Sequence, residues 1–288
     1  MTAAGTRQIA QLLAAARARL SEAGVPSPEW DAERLLRHVL GWDRARIVTQ
    51  AGASVPPAAQ VRFDALVLQR AMRVPLQHLV GRQAFWRHEF EVSGDALIPR
   101  PETELLVEEA LRLLASLEAP LVLDVGTGTG CIALSIATER PDARVFAGDI
   151  SSRALALAAR NARRIAPDRV AFVAADLLAA WAEAPLFDLI LSNPPYAAAS
   201  DAPSLAPEVR DHEPGTALFG GEDGLAIYRR LLPQSRPRLK PEGHLVLEIG
   251  MGQEDAVRTL AGACGLDVLR VLPDLQTIPR VLVAKPAS

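Results

Sequence analysis

From Thr6 to about Met72 the apolar residues recur with a helical period. Ile9, Leu12, Leu13, Ala16 and Leu20 fall at i, i+3, i+4, i+7 and i+11, one face of an amphipathic helix that Gly24 ends. Ser27-Pro28 supplies an N-cap with proline in the first turn, and Leu35, Leu36, Val39 and Leu40 follow at core spacing. A third helix is expected after Pro56-Pro57, with Val61, Ala65, Leu68 and Met72 on its inner side. Three short helices with short joins predict a small bundle over residues 1–73.

Between residues 74 and 100 the texture changes to aromatics, local alternation and a Ser93-Gly94-Asp95 turn, which predicts a linking β-hairpin. Past Pro101 helix and strand alternate to the end, so residues 101–288 are expected to form one α/β domain. Strands are predicted at 121–125, 145–149, 170–174, 187–192, 244–249, 268–272 and 281–284, with helices at 102–117, from Cys131 and from Ser151-Ser152. Repeated βα units mean an open, largely parallel Rossmann-like sheet covered on both faces. Seven strands ending in a late hairpin-like pair is the count of a class I methyltransferase rather than of a six-stranded dinucleotide-binding sheet.

Composition narrows the function without naming it. A chain of 288 residues that is 49% hydrophobic and 23% charged is globular rather than disordered, and has no uncharged apolar run of membrane-spanning length. Arg7, Arg17 and Arg19 thread the apolar start, which is unlike a secretory signal. With only Cys131 and Cys264 there is no disulfide framework or cysteine-rich metal cluster, and the cytoplasm is the expected compartment. The net charge of −3 argues against a chain built around polyanion binding. The charge is unevenly spread: residues 1–73 hold ten Arg against six acidic residues, an excess of four, so the remainder is acidic.

Leu121-Val-Leu-Asp-Val-Gly-Thr-Gly-Thr-Gly130 is a buried strand running into a glycine turn. Glycines let the backbone turn tightly and approach a ligand, and the helix that follows presents free N–H groups. Gly126, Gly128 and Gly130 lack the G-x-G-x-x-G spacing of nicotinamide enzymes, and Asp124 suits a cationic ligand better than a pyrophosphate. S-adenosylmethionine (SAM) fits. The turn Gly126, Thr127, Gly128, Thr129 and Gly130 would hold its methionine end, and Asp149 at the next strand end would accept from the ribose hydroxyls. Asp176 would reach the adenine amino group, with Leu177 covering the ring.

Asn193-Pro194-Pro195-Tyr196 closes the fourth predicted strand, beside the glycine turn, where open α/β sheets place their ligand crevice. Two consecutive prolines fix the backbone and remove two N–H donors, so the rim offers acceptors only. Such a rim fits a planar group bearing NH₂. The amino hydrogens would go to the Asn193 side-chain oxygen and the Pro194 carbonyl, with Tyr196 packed on the flat face. With no carboxylate base in the motif, the rate is assigned to positioning, desolvation and electrostatics.

Taken together these motifs resemble the release-factor glutamine methyltransferases of the HemK or PrmC type over nearly the whole length. The matching residues are Ile98-Pro-Arg-Pro-Glu-Thr-Glu104, Leu123–Gly130, Phe187–Tyr196, Glu213-Pro214, Ala217-Leu218, Gly221, Asp223-Gly-Leu225 and Glu248-Ile-Gly250. The resemblance implies methylation, from SAM, of the side-chain amide of the glutamine in the Gly-Gly-Gln motif of bacterial peptide-chain release factors. It also implies a protein-holding role for the N-terminal bundle. Two departures stand out: the loop Asp274–Arg280 lacks the family's usual glycine, and Leu177 stands where an aromatic is common.

Two other functions fit the residues less well. A nucleic-acid amino-group methyltransferase would face the same flat NH₂ but needs a basic recognition region larger than an excess of four charges. A SAM-binding protein without catalysis would not need the Asn193–Tyr196 rim. His38, His78, His88, His212 and His244 are scattered without ligand spacing, so no metal is expected. Cys131 reads as packing, and Trp30, Trp42 and Trp86 as core or hairpin anchors. Arg100, Glu102 and Glu104 either line a lid or, as the simpler reading has it, cap the helix after Pro101.

Overall fold

The computed structural model describes residues 7–287, which divide by their contacts into two units. The first runs to Gly81 and also includes Ala206–His212; the second comprises Arg82–Leu205 and the chain from Glu213 onward. Thr6, with which the helical pattern opens, lies outside the described residues.

Among the described residues up to Gly81 the helices of the first unit are α1 (Ile9–Glu22), α2 (Pro28–Leu40), α3 (Arg44–Thr49), α4 (Pro57–Ala71) and α5 (Leu76–Val80), five where three were expected. The two additional ones are of six and five residues, too short to carry a periodic signal. Ile9, Leu12, Ala16 and Leu20 of α1 and Leu35, Leu36 and Val39 of α2 are buried together, as their spacing predicts. Ser27 stands at the N-cap position, but its side chain makes no capping hydrogen bond and Pro28 starts the helix. Asp43 does cap α3, accepting from the Arg46 N–H at 2.8 Å. Trp30 is half exposed rather than in the core.

The inner face of α4 is not the expected one. Gln60, Phe63, Val67 and Arg70 are buried, whereas Val61 and Met72 are 69% and 66% exposed. Counting apolar residues chose the wrong stripe because two polar side chains enter the core with partners. The Gln60 amide donates to the Val55 carbonyl at 2.8 Å and accepts from Arg7 at 3.2 Å. Arg70 donates to Asp31 and to Glu208, each at 2.7 Å, and to the Val74 carbonyl at 3.2 Å. Arg73 grips the same Glu208 through both carboxylate oxygens, at 2.8 and 2.6 Å. Burial opposes ionisation of Glu208, but the hydrogen bonds from Arg73 and Arg70 outweigh it and hold its pKa down to about 2.

The second unit opens with the antiparallel hairpin β1 (Arg82–Phe85) and β2 (His88–Glu91), paired from Arg82↔Glu91 to Phe85↔His88. Along the chain follow α6 (Glu104–Leu114), β3 (Leu121–Val125), α7 (Cys131–Glu139), β4 (Arg144–Asp149), α8 (Ser152–Ile165), β5 (Val170–Ala174) and β6 (Phe187–Ser192). After the excursion that carries the helical turn Pro207–His212 into the first unit come the turn Gly215–Leu218, α9 (Ala226–Ser235), β7 (Leu239–Glu248), α10 (Glu254–Ala263), β8 (Leu266–Pro273) and β9 (Pro279–Pro286). The sheet is seven-stranded, in the order β5-β4-β3-β6-β7-β9-β8. Its strands are parallel except β9, which runs antiparallel to both neighbours. The chain winds outward from β3 to β5 and then restarts on the other side of β3 at β6. That reversal opens a crevice beyond the carboxyl ends of β3 and β6. Layers of buried Val, Leu, Ile and Ala on both faces hold the sheet between its helices.

Asn161 of α8, fully buried, links the hairpin to the rim of that crevice. Its oxygen accepts from the Glu91 N–H at 2.7 Å, and its amide donates to the carbonyls of Glu91 and Thr129, both at 3.0 Å.

Candidate active site

The crevice holds a cavity of about 350 Å³. Gly126, Thr127, Gly128, Thr129, Asp149, Asp176, Leu177, Asn193 and Pro195 of the sequence-predicted set line it, whereas Asp124, Gly130, Pro194 and Tyr196 are not among its lining residues. The backbone explains the glycine turn. At Gly130, φ is +82° and an added Cβ would lie 3.1 Å from a Leu134 methyl and 3.2 Å from the Ala158 Cβ, so glycine lets α7 pack close to α8.

Asp124 is fully buried at the end of β3. Its Oδ2 accepts from the Thr127 hydroxyl at 2.6 Å, and its Oδ1 has no hydrogen-bond partner among the described residues. Burial dominates and pushes its pKa up to about 7. An orphaned oxygen on a buried carboxylate beneath a glycine turn is suited to a cationic ligand. Asp149 is preorganised differently: its Oδ2 accepts from the Gly128 N–H at 2.9 Å and its Oδ1 from the Ser151 N–H at 2.8 Å. Those bonds fix the carboxylate plane and leave each oxygen a second lone pair for a hydroxyl donor. Asp176 is paired with Arg230 at 2.6 Å. Leu177 holds a left-handed backbone, φ +51°. Burial pushes the Cys131 thiol up to about 12, which keeps it neutral, in keeping with packing.

At the end of β6 the Ser192 hydroxyl donates to the Val125 carbonyl at 2.7 Å, tying this strand end to that of β3. The Asn193 amide donates to the Thr103 hydroxyl at 3.1 Å, and that hydroxyl donates to Glu248 at 2.7 Å. The Tyr196 hydroxyl turns to the other oxygen of Glu248, at 3.3 Å, and its carbonyl accepts from the Gln253 amide at 2.9 Å. Gly224 is required beside this segment, because a Cβ there would collide with the Tyr196 carbonyl.

In the segment Arg100–Glu104 the residue before α6, Thr103, makes no side-chain capping hydrogen bond. Arg100 lines the cavity and donates to both oxygens of Glu213, at 2.6 and 2.8 Å. Glu104 accepts from the Trp86 N–H at 2.7 Å, at the turn of the hairpin. Thr103 and Glu248 were missed as site residues by sequence reasoning, although both stand inside motifs that carried the resemblance. The loop without its glycine is held by Asp274, which accepts from the Gln276 and Ile278 N–H groups and pairs with Arg280 at 3.0 Å.

Strand order, glycine turn and the Asn-Pro-Pro-Tyr rim together define a class I methyltransferase. A solved methyltransferase from Pyrococcus furiosus has the same fold, with a TM-score of 0.51 at 16% identity over 78% of this chain and 98% of that one. Residues 11–81 match the PrmC N-terminal domain family and residues 102–209 the methyltransferase small domain family. A release factor glutamine methyltransferase of Cereibacter sphaeroides is 45% identical over 96% of this chain and 98% of its own length. One from Deinococcus radiodurans is 42% identical over 98% and 99%. The chain belongs to the release factor glutamine methyltransferase family, and it is an enzyme. Among the described residues no helix is long and apolar enough to cross a membrane.

Proposed function

We propose that this enzyme transfers a methyl group from SAM to the side-chain amide nitrogen of the glutamine in the Gly-Gly-Gln motif of peptide-chain release factors. The observation that carries the reading is that Asn193 opens into the same cavity as the glycine turn and Asp149, and two residues without N–H groups follow it. SAM, when bound, supplies an electrophilic methyl on a sulfonium. Gly126–Gly130 and Asp124 serve its methionine end, Asp149 its ribose, and Asp176 with Leu177 its adenine. The Asn193 oxygen and the Pro194 carbonyl accept the two hydrogens of the substrate carboxamide, and Tyr196 backs the rim. An amide nitrogen is a weak nucleophile because its lone pair is delocalised. Two acceptors on its hydrogens raise its electron density and aim it, and its proton leaves after transfer. Residues 1–73 serve to hold the release factor through their excess positive charge.

The test is transfer of label from SAM to purified release factor. Label is expected on the intact factor, lost when the Gly-Gly-Gln glutamine is replaced, with a KM for the factor that rises with salt. Labelling that survives the replacement, or appears on RNA instead, would refute the reading.

Asp149→Ala is expected to weaken SAM binding by roughly tenfold to a hundredfold, the worth of hydrogen bonds to a charged acceptor at about 1.5–3 kcal/mol. Calorimetric titration with SAM measures it, and an unchanged affinity would move the ribose elsewhere.

A further inference from the structure

Asn193 can accept from a carboxamide only if its own amide is turned the right way. A side-chain amide has a donor end and an acceptor end of almost identical shape, so packing alone discriminates them poorly. Here the discrimination comes from a chain of hydrogen bonds. Thr103, in the turn before α6, and Glu248, at the end of β7, are both about 98% buried, and Thr103 lines the cavity beside Asn193. A hydroxyl has one hydrogen, and an ionised carboxylate has none. The 2.7 Å contact therefore takes the Thr103 hydrogen to Glu248, which leaves the Thr103 oxygen only able to accept. The neighbour 3.1 Å away must then be the Asn193 NH₂. The Asn193 oxygen is left for the substrate.

We propose that Thr103 and Glu248 are positioning residues that set the polarity of Asn193, the ionised Glu248 holding its amide in the one orientation that accepts from a substrate NH₂. The inference rests on the carboxamide reading above. Glu248 itself is held in place by the Tyr228 hydroxyl, which donates to its backbone carbonyl at 2.8 Å.

The arrangement is sensitive to a proton. Burial pushes the Glu248 pKa up to about 7, against the hydrogen bonds from Thr103 and Tyr196 and the positive charge of Arg280, with Glu102 adding to the rise. Once protonated, Glu248 donates to Thr103, whose own hydrogen becomes free for the Asn193 oxygen. The amide then turns and presents NH₂ to NH₂, an arrangement without a hydrogen bond. Activity is therefore expected above the pKa and lost as the pH falls through about 7.

The test compares wild type with Thr103→Val, Thr103→Ser and Glu248→Gln, all as full chains, with labelled SAM and release factor. In wild type, kcat at saturating SAM falls on the acid side of about 7. Thr103→Val is expected to lose about tenfold to a hundredfold in kcat with SAM affinity unchanged, Thr103→Ser to keep most of its activity, and Glu248→Gln to lose the acid limb. The unchanged SAM affinity shows that the variants are folded. A Thr103→Val enzyme with wild-type kcat, or an acid limb that survives Glu248→Gln, would overturn the proposal. Side-chain amide resonances of ¹⁵N-labelled Asn193 give a readout independent of substrate. They should titrate with the same midpoint in wild type and not in Glu248→Gln. If they titrate so while wild type fails to label release factor, the substrate reading falls and the polarity device stands.

Discussion

Asn193→Ala is expected to lower kcat for methyl transfer by about 10²–10³-fold while leaving SAM affinity close to that of wild type. The size follows from removing one preorganised partner of the reacting group, an effect of about 2.7–4 kcal/mol where the partner acts in the transition state. Ground-state binding of SAM should hardly change, because the glycine turn and Asp149 are braced by bonds of their own, from Gly128 and Ser151 to Asp149 and from Thr127 to Asp124. Single-turnover kinetics against calorimetric SAM binding separates the two. Equal losses in both would mean that Asn193 holds the cofactor rather than the amide.

The second large effect concerns stability. Arg70→Met is expected to destabilise the N-terminal unit by about 3–5 kcal/mol, the usual cost of breaking a buried ion pair from one side. Arg70 is almost fully buried and satisfies Asp31 and Glu208 at once, so its loss strands a buried carboxylate at Asp31 and half-strands another at Glu208. Arg73→Met should cost less, because Arg73 is closer to solvent and Arg70 still holds Glu208. Urea unfolding followed through Trp30 and Trp42 measures both, and a loss below about 1 kcal/mol for Arg70→Met would mean that water replaces the guanidinium. The pH dependence has a definite sign. The Glu208 pKa lies below its ordinary value, so its contribution is fully present above about 4.5 and disappears as the pH falls through about 2. In Arg70→Met that acid loss should shrink.

These two sites differ in how far the chain announces them. The strands that carry the cavity are short apolar runs bounded by turn residues, and β3 and β5 begin and end where that pattern places them. The glycine turn and the Asn-Pro-Pro-Tyr rim are local in sequence, so their neighbourhood follows once the strand order is known. The inner face of α4 was hidden because Gln60 and Arg70 are buried with partners that include Arg7, Asp31 and Glu208, far away in the chain. Thr103 and Glu248 were hidden for the same reason at greater range: the bond between them spans 145 positions. Periodicity reports what a residue transfers out of water. It is silent on which polar group will be waiting inside.

The excursion of Ala206–His212 into the first unit has a practical corollary. A gene severed after Gly81 would not deliver two self-sufficient products. The amino-terminal fragment would keep both guanidinium groups that clasp Glu208 and forfeit the glutamate, which the remainder would carry without a counter-ion. Grafting this bundle onto a foreign catalytic sheet would take three splice points rather than one: after Gly81, before Ala206, only nine residues beyond the rim motif, and after His212.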